Sequence, residues 1–508
     1  MIFASGKLQR TRNPLGALNK NSSPLLVWER NKWLLFVTLI LIAVSTIGVP
    51  LGLASHGDSR AIFEISVPAI QQGHYVPSRS YGNPLYELIA TGLYLLGGLE
   101  LVNSYSLALA FGSVAIFAHL LKGSPSGPWA LAAFALNPLF LIHAVSPTEW
   151  SQATFVLVSA IALLHSWLNE KNSRFLIAYA AVTASMLLTR PDFAAFSVAL
   201  YAATVWQLKR ERSATALLTV TTAIAWAFSL AVFALLNGGF GIFSNTVLDE
   251  APLMRRMTIA ILGVLNIFGT GGILVIVMGA CHLLWLVSRG GSDVTFFEKL
   301  FIVTWPIVFI RYVTLTNKLE YVIPLIPVSL LCFSSARWPR MTTPILATFL
   351  IVNSFVSLSF FTREGASDRL KFDPQWNEGA LFQDFDQRRA VSRIDDPDFM
   401  RHVASAVYQG SRPSELHWDN YLWGFESGEN DLVISEDQLY KFGSARFKDD
   451  PRLRVTRYRN VYVCNKALIA ENGGWRVLQP ALAFVSFESE QDGGQFKCRL
   501  EYQKAGRQ

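Results

Sequence analysis

Apolar residues in this chain come in long blocks rather than at simple helix or strand spacing. Between Trp33 and Phe361 the blocks recur, each about 17 to 25 residues long, which as helix crosses roughly 30 Å of hydrocarbon. The pattern predicts spans at residues 33–53, 104–121, 128–145, 151–168, 174–189, 193–207, 214–236, 265–288, 299–315, 321–336 and 341–361. Pro84–Gly98 is shorter, carries Glu87 and ends on Gly97 and Gly98. It is expected as an interfacial helix on the outer surface, because counting it as a span would invert every later loop. After Phe361 the blocks stop. Residues 362–508 read as a soluble sequence dense in Asp, Glu, Arg and Lys.

Charge tests this topology. With the N-terminus inside, the inner segments hold Lys7, Arg10, Arg12, Lys20, Arg30, Lys32, Lys122, Lys171, Arg174, Lys209, Arg210, Arg212, Arg289, Lys299, Arg337 and Arg340. The outer segments hold only Arg60, Arg79, Arg190, Arg255, Arg256 and Lys318. That asymmetry has the sense of the positive-inside rule. Residues 1–32 lack a short basic region with an A-x-A-like site, so the first span is expected to stay uncleaved, its N-terminus cytoplasmic.

Composition agrees. Hydrophobic residues make up 51%, charged residues 16%, and mean hydropathy is +0.32, against about 25% charged in ordinary soluble chains. The net charge of +7 does not indicate nucleic-acid binding, because the excess Lys and Arg sits in loops where it orients spans. The expected fold is an all-α polytopic membrane protein of about eleven helices, with outer juxtamembrane helices and a small C-terminal α/β soluble domain. Its parts are a cytoplasmic segment 1–32, a membrane domain 33–361 with a first outer loop 54–103, and an extracytoplasmic domain 362–508. In that last domain Asp431–Ser435 and Arg454–Cys464 read as strands, and Ala481–Glu490 with Phe496–Tyr502 as a hairpin. Cys464 and Cys498 there either pair as a disulfide or stay free; Cys281 and Cys332 lie in apolar runs.

Ionisable residues near membrane depth are expensive and therefore candidate functional groups. In the first outer loop Asp58 and Glu64 follow the first span, among His56, Arg60, His74, Tyr81 and Asn83. A carboxylate there serves as general base toward a hydroxyl, holds a divalent metal, or simply opens a solvated helix whose dipole favours it. Ser146-Pro147-Thr148-Glu149 reads as a capping box or as an acidic turn at the site. Thr189-Arg190-Pro191-Asp192 is a tight turn in which Arg190 pairs with Asp192 or binds phosphate. Arg311 lies inside an apolar run, followed by Lys318, Glu320 and Tyr321. It needs either a carboxylate partner or an anionic ligand. Asp249–Arg256 reads as a solvated face.

The order of these elements resembles the GT-C superfamily of membrane glycosyltransferases, which includes protein O-mannosyltransferases and lipid A aminoarabinose transferases. An acidic outer loop (Gly57-Asp58-Ser59) precedes a Pro-Leu-Tyr helix (Tyr81-Gly82-Asn83-Pro84-Leu85-Tyr86). Then come Asn137-Pro138-Leu139-Phe140 with the turn at 146–149, the Arg190-Pro191 turn, and Lys318-Leu319-Glu320-Tyr321 leading to Pro324 and Pro327. The resemblance covers roughly residues 30–335. It implies a polyprenyl-phosphate-linked sugar donor, a glycan, lipid or protein acceptor, and transfer on the outer face with inversion. It makes Asp58 the base candidate, with Glu64 and Glu149 as further catalytic candidates. His56, Arg60, His74, Tyr81, Asn83, Arg190, Asp192, Arg311, Lys318, Glu320 and Tyr321 are the substrate-binding candidates. Two departures stand out. Asp58-Ser59-Arg60 replaces the paired acids common in the family, so a divalent metal is compatible with the loop but not required by it. Gly82-Asn83-Pro84 replaces the usual His-Pro-Pro or Lys-Pro-Pro. The rival readings are a transporter or lipid flippase, which would place charges at the bilayer midplane on two related halves, and a non-catalytic scaffold. The clustering of polar residues at one face favours the transferase.

Overall fold

The computed structural model describes residues 24–52, 59, 62–71, 73–78, 82–209, 211–236, 252–289, 294–314 and 319–363, a second strand at 370–378, a few residues after it, and short strands in the tail. In chain order the main helices are α1 (Pro24–Gly48), α2 (Val67–Gln71), α3 (Pro84–Leu120), α4 (Gly127–Leu136), α5 (Pro138–Ala144), α6 (Glu149–Glu170) and α7 (Ser173–Thr189). They continue as α8 (Ala194–Gln207), α9 (Arg212–Leu236), α10 (Leu253–Ser288), α11 (Phe296–Thr314), α12 (Leu325–Phe333) and α13 (Thr342–Phe355). Sheets of lipid-facing side chains run along several of them: Leu35, Phe36, Leu39 and Ile42 on α1, and Val220, Ile224, Phe228 and Leu235 on α9, are all exposed. Exposed apolar stripes of that length are stable only against hydrocarbon. The protein is an integral membrane protein.

Five described helices are long and apolar enough to cross a membrane, and counting the bent pair α4–α5 as one span makes six. Three breaks interrupt the described helices. α4 and α5 meet at 57°, because Pro138 cannot donate to the helix before it and Asn137 turns extended to cap α5, accepting from the Phe140 amide at 3.0 Å. α10 is interrupted at Gly269, whose φ of 67° only glycine adopts without strain. α3 is interrupted at Gly97 and Gly98, where the sequence reading ends its interfacial helix. The expected span 321–336 is α12, nine residues, every one buried. With the helical turn at Leu319–Val322 it makes a shorter apolar helix that ends at Phe333. The expected span 341–361 stops at Phe355, and the chain runs directly into a strand.

The breaks free carbonyls that α13 satisfies. Asn353 donates its amide to the carbonyls of Asn266 and Ile267 at 2.9 and 3.2 Å, and the Ser354 hydroxyl donates to the Leu136 carbonyl. In a bilayer such carbonyls have no water to turn to.

The helix ends sort by charge. Lys171 pairs with Glu211 at 2.7 Å, Lys299 donates to Gln207 at 2.7 Å, and Arg337 meets Glu298 at 3.0 Å, all where α6, α8 and α12 end and α9 and α11 begin. The capping box absent at 146–149 is found here: the Thr295 amide donates to Glu298 at 2.7 Å and the Glu298 amide to the Thr295 hydroxyl at 3.4 Å. Arg190 and Arg311 lie where α7 and α11 end, the opposite end of the bundle.

Beyond α13, β1 (Val356–Arg363) pairs antiparallel with β2 (Leu370–Glu378), straddling the expected boundary at 361. β3 (Phe425–Ser427), β4 (Asp431–Ser435), β5 (Leu453–Val455) and β6 (Val461–Asn465) form an antiparallel sheet in the order β3-β4-β6-β5. The expected strand at 431–435 is there, but the single strand expected over Arg454–Cys464 is two, β5 and β6, which pair antiparallel with each other. Phe484–Val485 pairs with Trp475–Arg476. Residues 496–502 lie outside the described residues, as does Cys498, and with it the choice between a Cys464–Cys498 disulfide and free thiols.

Candidate active site

Four turns meet at the end of the bundle away from the Lys171, Lys299 and Arg337 cluster. The first is the acidic turn before α6. Thr148 is the N-cap by backbone geometry, but its side chain makes no cap bond. Ser146 donates back to the Ile142 carbonyl at 2.8 Å, and the Thr148 hydroxyl meets His143 Nδ1 at 3.0 Å. The capping-box reading of 146–149 is therefore overturned: these side chains bond elsewhere. Glu149 instead occupies the first turn of α6, fully buried, where the helix dipole favours its charge.

The second turn ends α7. Arg190 takes an extended conformation (φ −149°, ψ 101°), as a residue before proline prefers. Pro191 then opens a short helical turn to Phe193. The Arg190 guanidinium is 1% exposed, donates to Glu149 and to Asp192 (3.0 Å), and stacks over Trp150 with its central carbon 3.8 Å from the ring centre. The third element is the end of α11, where Arg311 donates to the second oxygen of Asp192 and to the Thr314 hydroxyl at 3.3 Å. The four side chains thus alternate in sign, Glu149–Arg190–Asp192–Arg311, and neutralise one another. Alternation is how charges are tolerated out of water. Exposure rises along the chain: Arg311 is 28% exposed, Asp192 11%, while Glu149 is sealed.

The fourth turn is Leu319–Val322. Glu320 lies 3.8 Å from His143 Nε2, and Tyr321 packs edge-on to Trp150 with ring centres 6.0 Å apart. Thus Trp150 is walled by Arg190, Tyr321, His143 and Phe193.

The first outer loop reaches the same place through Asn83. The Asn83 amide donates to the carbonyls of Gly82 and Thr189, each at 3.0 Å, in the orientation its neighbours require. The Thr189 hydroxyl accepts from Gln152 at 2.8 Å, and Gln152 accepts from Tyr105 at 3.0 Å. Beside Asn83, Glu87 is fully buried and accepts from the hydroxyls of Tyr75 and Ser78 and from the Ser78 amide at 3.2 Å. Burial, and then the adjacent Glu87 carboxylate, push the Tyr75 phenol well above its ordinary range.

The structure therefore brings together Asn83, Glu149, Arg190, Asp192, Arg311, Glu320 and Tyr321 of the sequence candidates. His74 is exposed on the loop and takes no side-chain part in the cluster. Glu64 lies on the helical turn Ile62–Ser66, with its side chain outside the described residues. His56, Asp58, Arg60, Tyr81 and Lys318 also lie outside the described residues. Among the described residues no group of three His, Cys, Asp or Glu side chains is spaced to hold a metal. His143, Trp150, Gln152 and Glu87 were not among the sequence candidates. The Asn137-Pro138 dipeptide could have flagged His143, since a break there places it on a short separate helix at the bundle's end.

No family model matches the sequence, and no curated protein matches it. Among solved structures the chain is similar to the crystal structure of ArnT from Cupriavidus metallidurans bound to undecaprenyl phosphate, at 12% identity. The match covers 85% of this chain and 97% of that one, with a TM-score of 0.47.

Proposed function

We infer that this membrane protein is a glycosyltransferase of the GT-C type, moving a sugar from a polyprenyl-phosphate donor to an acceptor hydroxyl on the outer face. One observation carries the reading. The acidic turn, the Arg-Pro turn and the Glu320-Tyr321 turn, which resemble that superfamily in their order along the chain, converge with Arg311 in one linked cluster. They do so at the end opposite the lysine-rich and arginine-rich loops.

The roles follow from exposure and partners. Arg311 is the partly exposed cation, so it is the group placed to face the donor's phosphate, with Lys318 close in sequence as a second. Arg190 is sealed between Glu149 and Asp192. Its role is to hold Asp192, and through Asp192 to aim Arg311. Glu149 is its anchor, since a fully buried carboxylate bound to arginine has no path to an acceptor proton. That leaves Asp58, with Glu64 as its neighbour, as the base supplied by the first outer loop. Asp58 takes the proton of the acceptor hydroxyl as its oxygen attacks the anomeric carbon. The bond from that carbon to the phosphate oxygen breaks, and polyprenyl phosphate leaves with the electron pair, its charge met by the arginine. Attack opposite the leaving group inverts the anomeric centre.

The breaks in α4–α5 and α10 would also suit a transporter, whose substrates bind at unwound helix ends. Here Asn353 and Ser354 occupy the freed carbonyls, which favours the transferase. The test is transfer from radiolabelled polyprenyl-phosphate sugars by the purified chain and by Asp58→Asn. Transfer that falls by about three orders of magnitude in the variant supports the reading. Full transfer in the variant removes Asp58 as base, and no transfer by the parent from any such donor removes the reading.

A further inference from the structure

Glu87 has no place in the chemistry above, yet it is a buried carboxylate at the start of α3 that gathers three donors from one loop. Tyr75 and Ser78 give it their hydroxyls, and the Ser78 amide adds a third bond at 3.2 Å. Gly82 closes the ring. Its φ is +67°, and a Cβ there would stand 2.3 Å from the Tyr75 hydroxyl and 2.7 Å from Pro77. The loop is tied on both sides. Upstream, the Ser66 hydroxyl donates to the Val76 carbonyl at 2.9 Å, joining the turn that carries Glu64 to the ring. Downstream, the Glu87 amide donates to the Asn83 carbonyl at 2.9 Å, and the Asn83 amide reaches the Thr189 carbonyl, one residue before Arg190.

We propose that Glu87 is a positioning residue that registers the first outer loop against the Arg190–Asp192 turn, and so sets the distance between the base segment and the phosphate-side arginine. The inference rests on the transferase reading for its consequence in turnover, though not for the clamp itself. A carboxylate suits the task because it only accepts, and all three groups facing it donate. Glutamine in its place would face a hydroxyl with an N–H, so that hydroxyl must turn round to accept, and the charge-assisted bonds are lost. Tyr75→Phe removes one donor while leaving the rest, and so tests the clamp in a chain that still folds.

The experiment is hydrogen exchange on the intact chain in lipid nanodiscs, for the parent, Tyr75→Phe and Glu87→Gln, followed by steady-state transfer kinetics. Exchange at residues 73–82 is expected to rise by about tenfold or more, the weight of hydrogen bonds to a charged acceptor. It rises also at residues 189–193, across the Asn83 link, while α9 is unchanged. In turnover, kcat falls about tenfold or more with the donor KM within about twofold, because only the alignment of bound partners is lost. A rise confined to 73–82 in both variants, no rise at all, or a raised KM with kcat retained overturns the proposal. A parent chain that transfers no polyprenyl-phosphate sugar, yet shows the linked change in exchange, leaves the clamp standing and removes the transferase reading instead.

Discussion

Arg190→Met is the sharpest perturbation of the charge chain. It removes the cation from Glu149, a carboxylate with no solvent exposure, while methionine fills much of the space over Trp150. Stripping one partner from a buried ion pair costs about 3–5 kcal/mol, because the remaining charge is neither solvated nor paired. The dipole of α6 offsets up to about 1 kcal/mol of that. Asp192 keeps Arg311, so its loss is smaller. The converse change, Glu149→Gln, leaves Arg190 bound to Asp192 at 3.0 Å, and costs about 1.5–3 kcal/mol. In the double variant no uncompensated carboxylate remains at residue 149. Its loss of stability should be at least about 2 kcal/mol smaller than the sum of the two single losses. Reversible unfolding in mixed micelles, or steric trapping in bicelles, measures all four corners of the cycle. Additivity within about 0.5 kcal/mol would show that Glu149 and Arg190 do not depend on each other, and the chain of alternating charges would have to be abandoned.

Three other perturbations separate parts of the account. Asn353→Ala leaves the carbonyls of Asn266 and Ile267 without their side-chain donor at the Gly269 break, and should lower stability by about 1–3 kcal/mol in the same unfolding assay without changing lipid-phosphate affinity. Arg311→Gln should weaken binding of undecaprenyl phosphate by about tenfold or more and flatten its salt dependence, read by intrinsic fluorescence titration. For Tyr75, whose phenol is raised by burial and by Glu87, the sign is fixed by linkage. The contact stabilises the fold fully below the unfolded pKa of about 10 and is lost as pH rises beyond it. Difference absorbance at high pH should therefore show one tyrosine titrating at lower pH once Glu87 is replaced by alanine, with the part of the shift that burial causes retained.

The membrane class and most helix positions were legible because they depend on apolar run length, a one-dimensional property. The convergence of the 146–149, 189–192 and 319–322 turns was legible only as their shared side. What was not legible depends on partners distant in sequence. Nothing near Gly269 announces that Asn353 will accept the task of capping a break there. Ser146-Pro147-Thr148-Glu149 and Thr295–Glu298 both present a hydroxyl three residues before a glutamate. Only the second is a capping box, because Arg190 claims Glu149 and Ser146 turns back to the Ile142 carbonyl. Residues 321–336 read as one apolar run because burial within protein and burial in lipid select the same side chains, and Pro324 and Pro327 carry the local hint that α12 itself is short. Glu87 was visible as an oddity in an apolar helix, and its meaning came from Tyr75 and Ser78, which the loop brings back to it.

Photocrosslinking with a diazirine-bearing undecaprenyl phosphate, mapped by peptide mass spectrometry, bears most directly on where the donor lipid sits. Labelling of residues 311–321 that excess unlabelled lipid phosphate abolishes, and that Arg311→Gln strongly reduces, is the predicted result. Competed labelling found only near Lys299 and Arg337, with none around Arg311, would place the phosphate at the other end of the bundle and contradict the account.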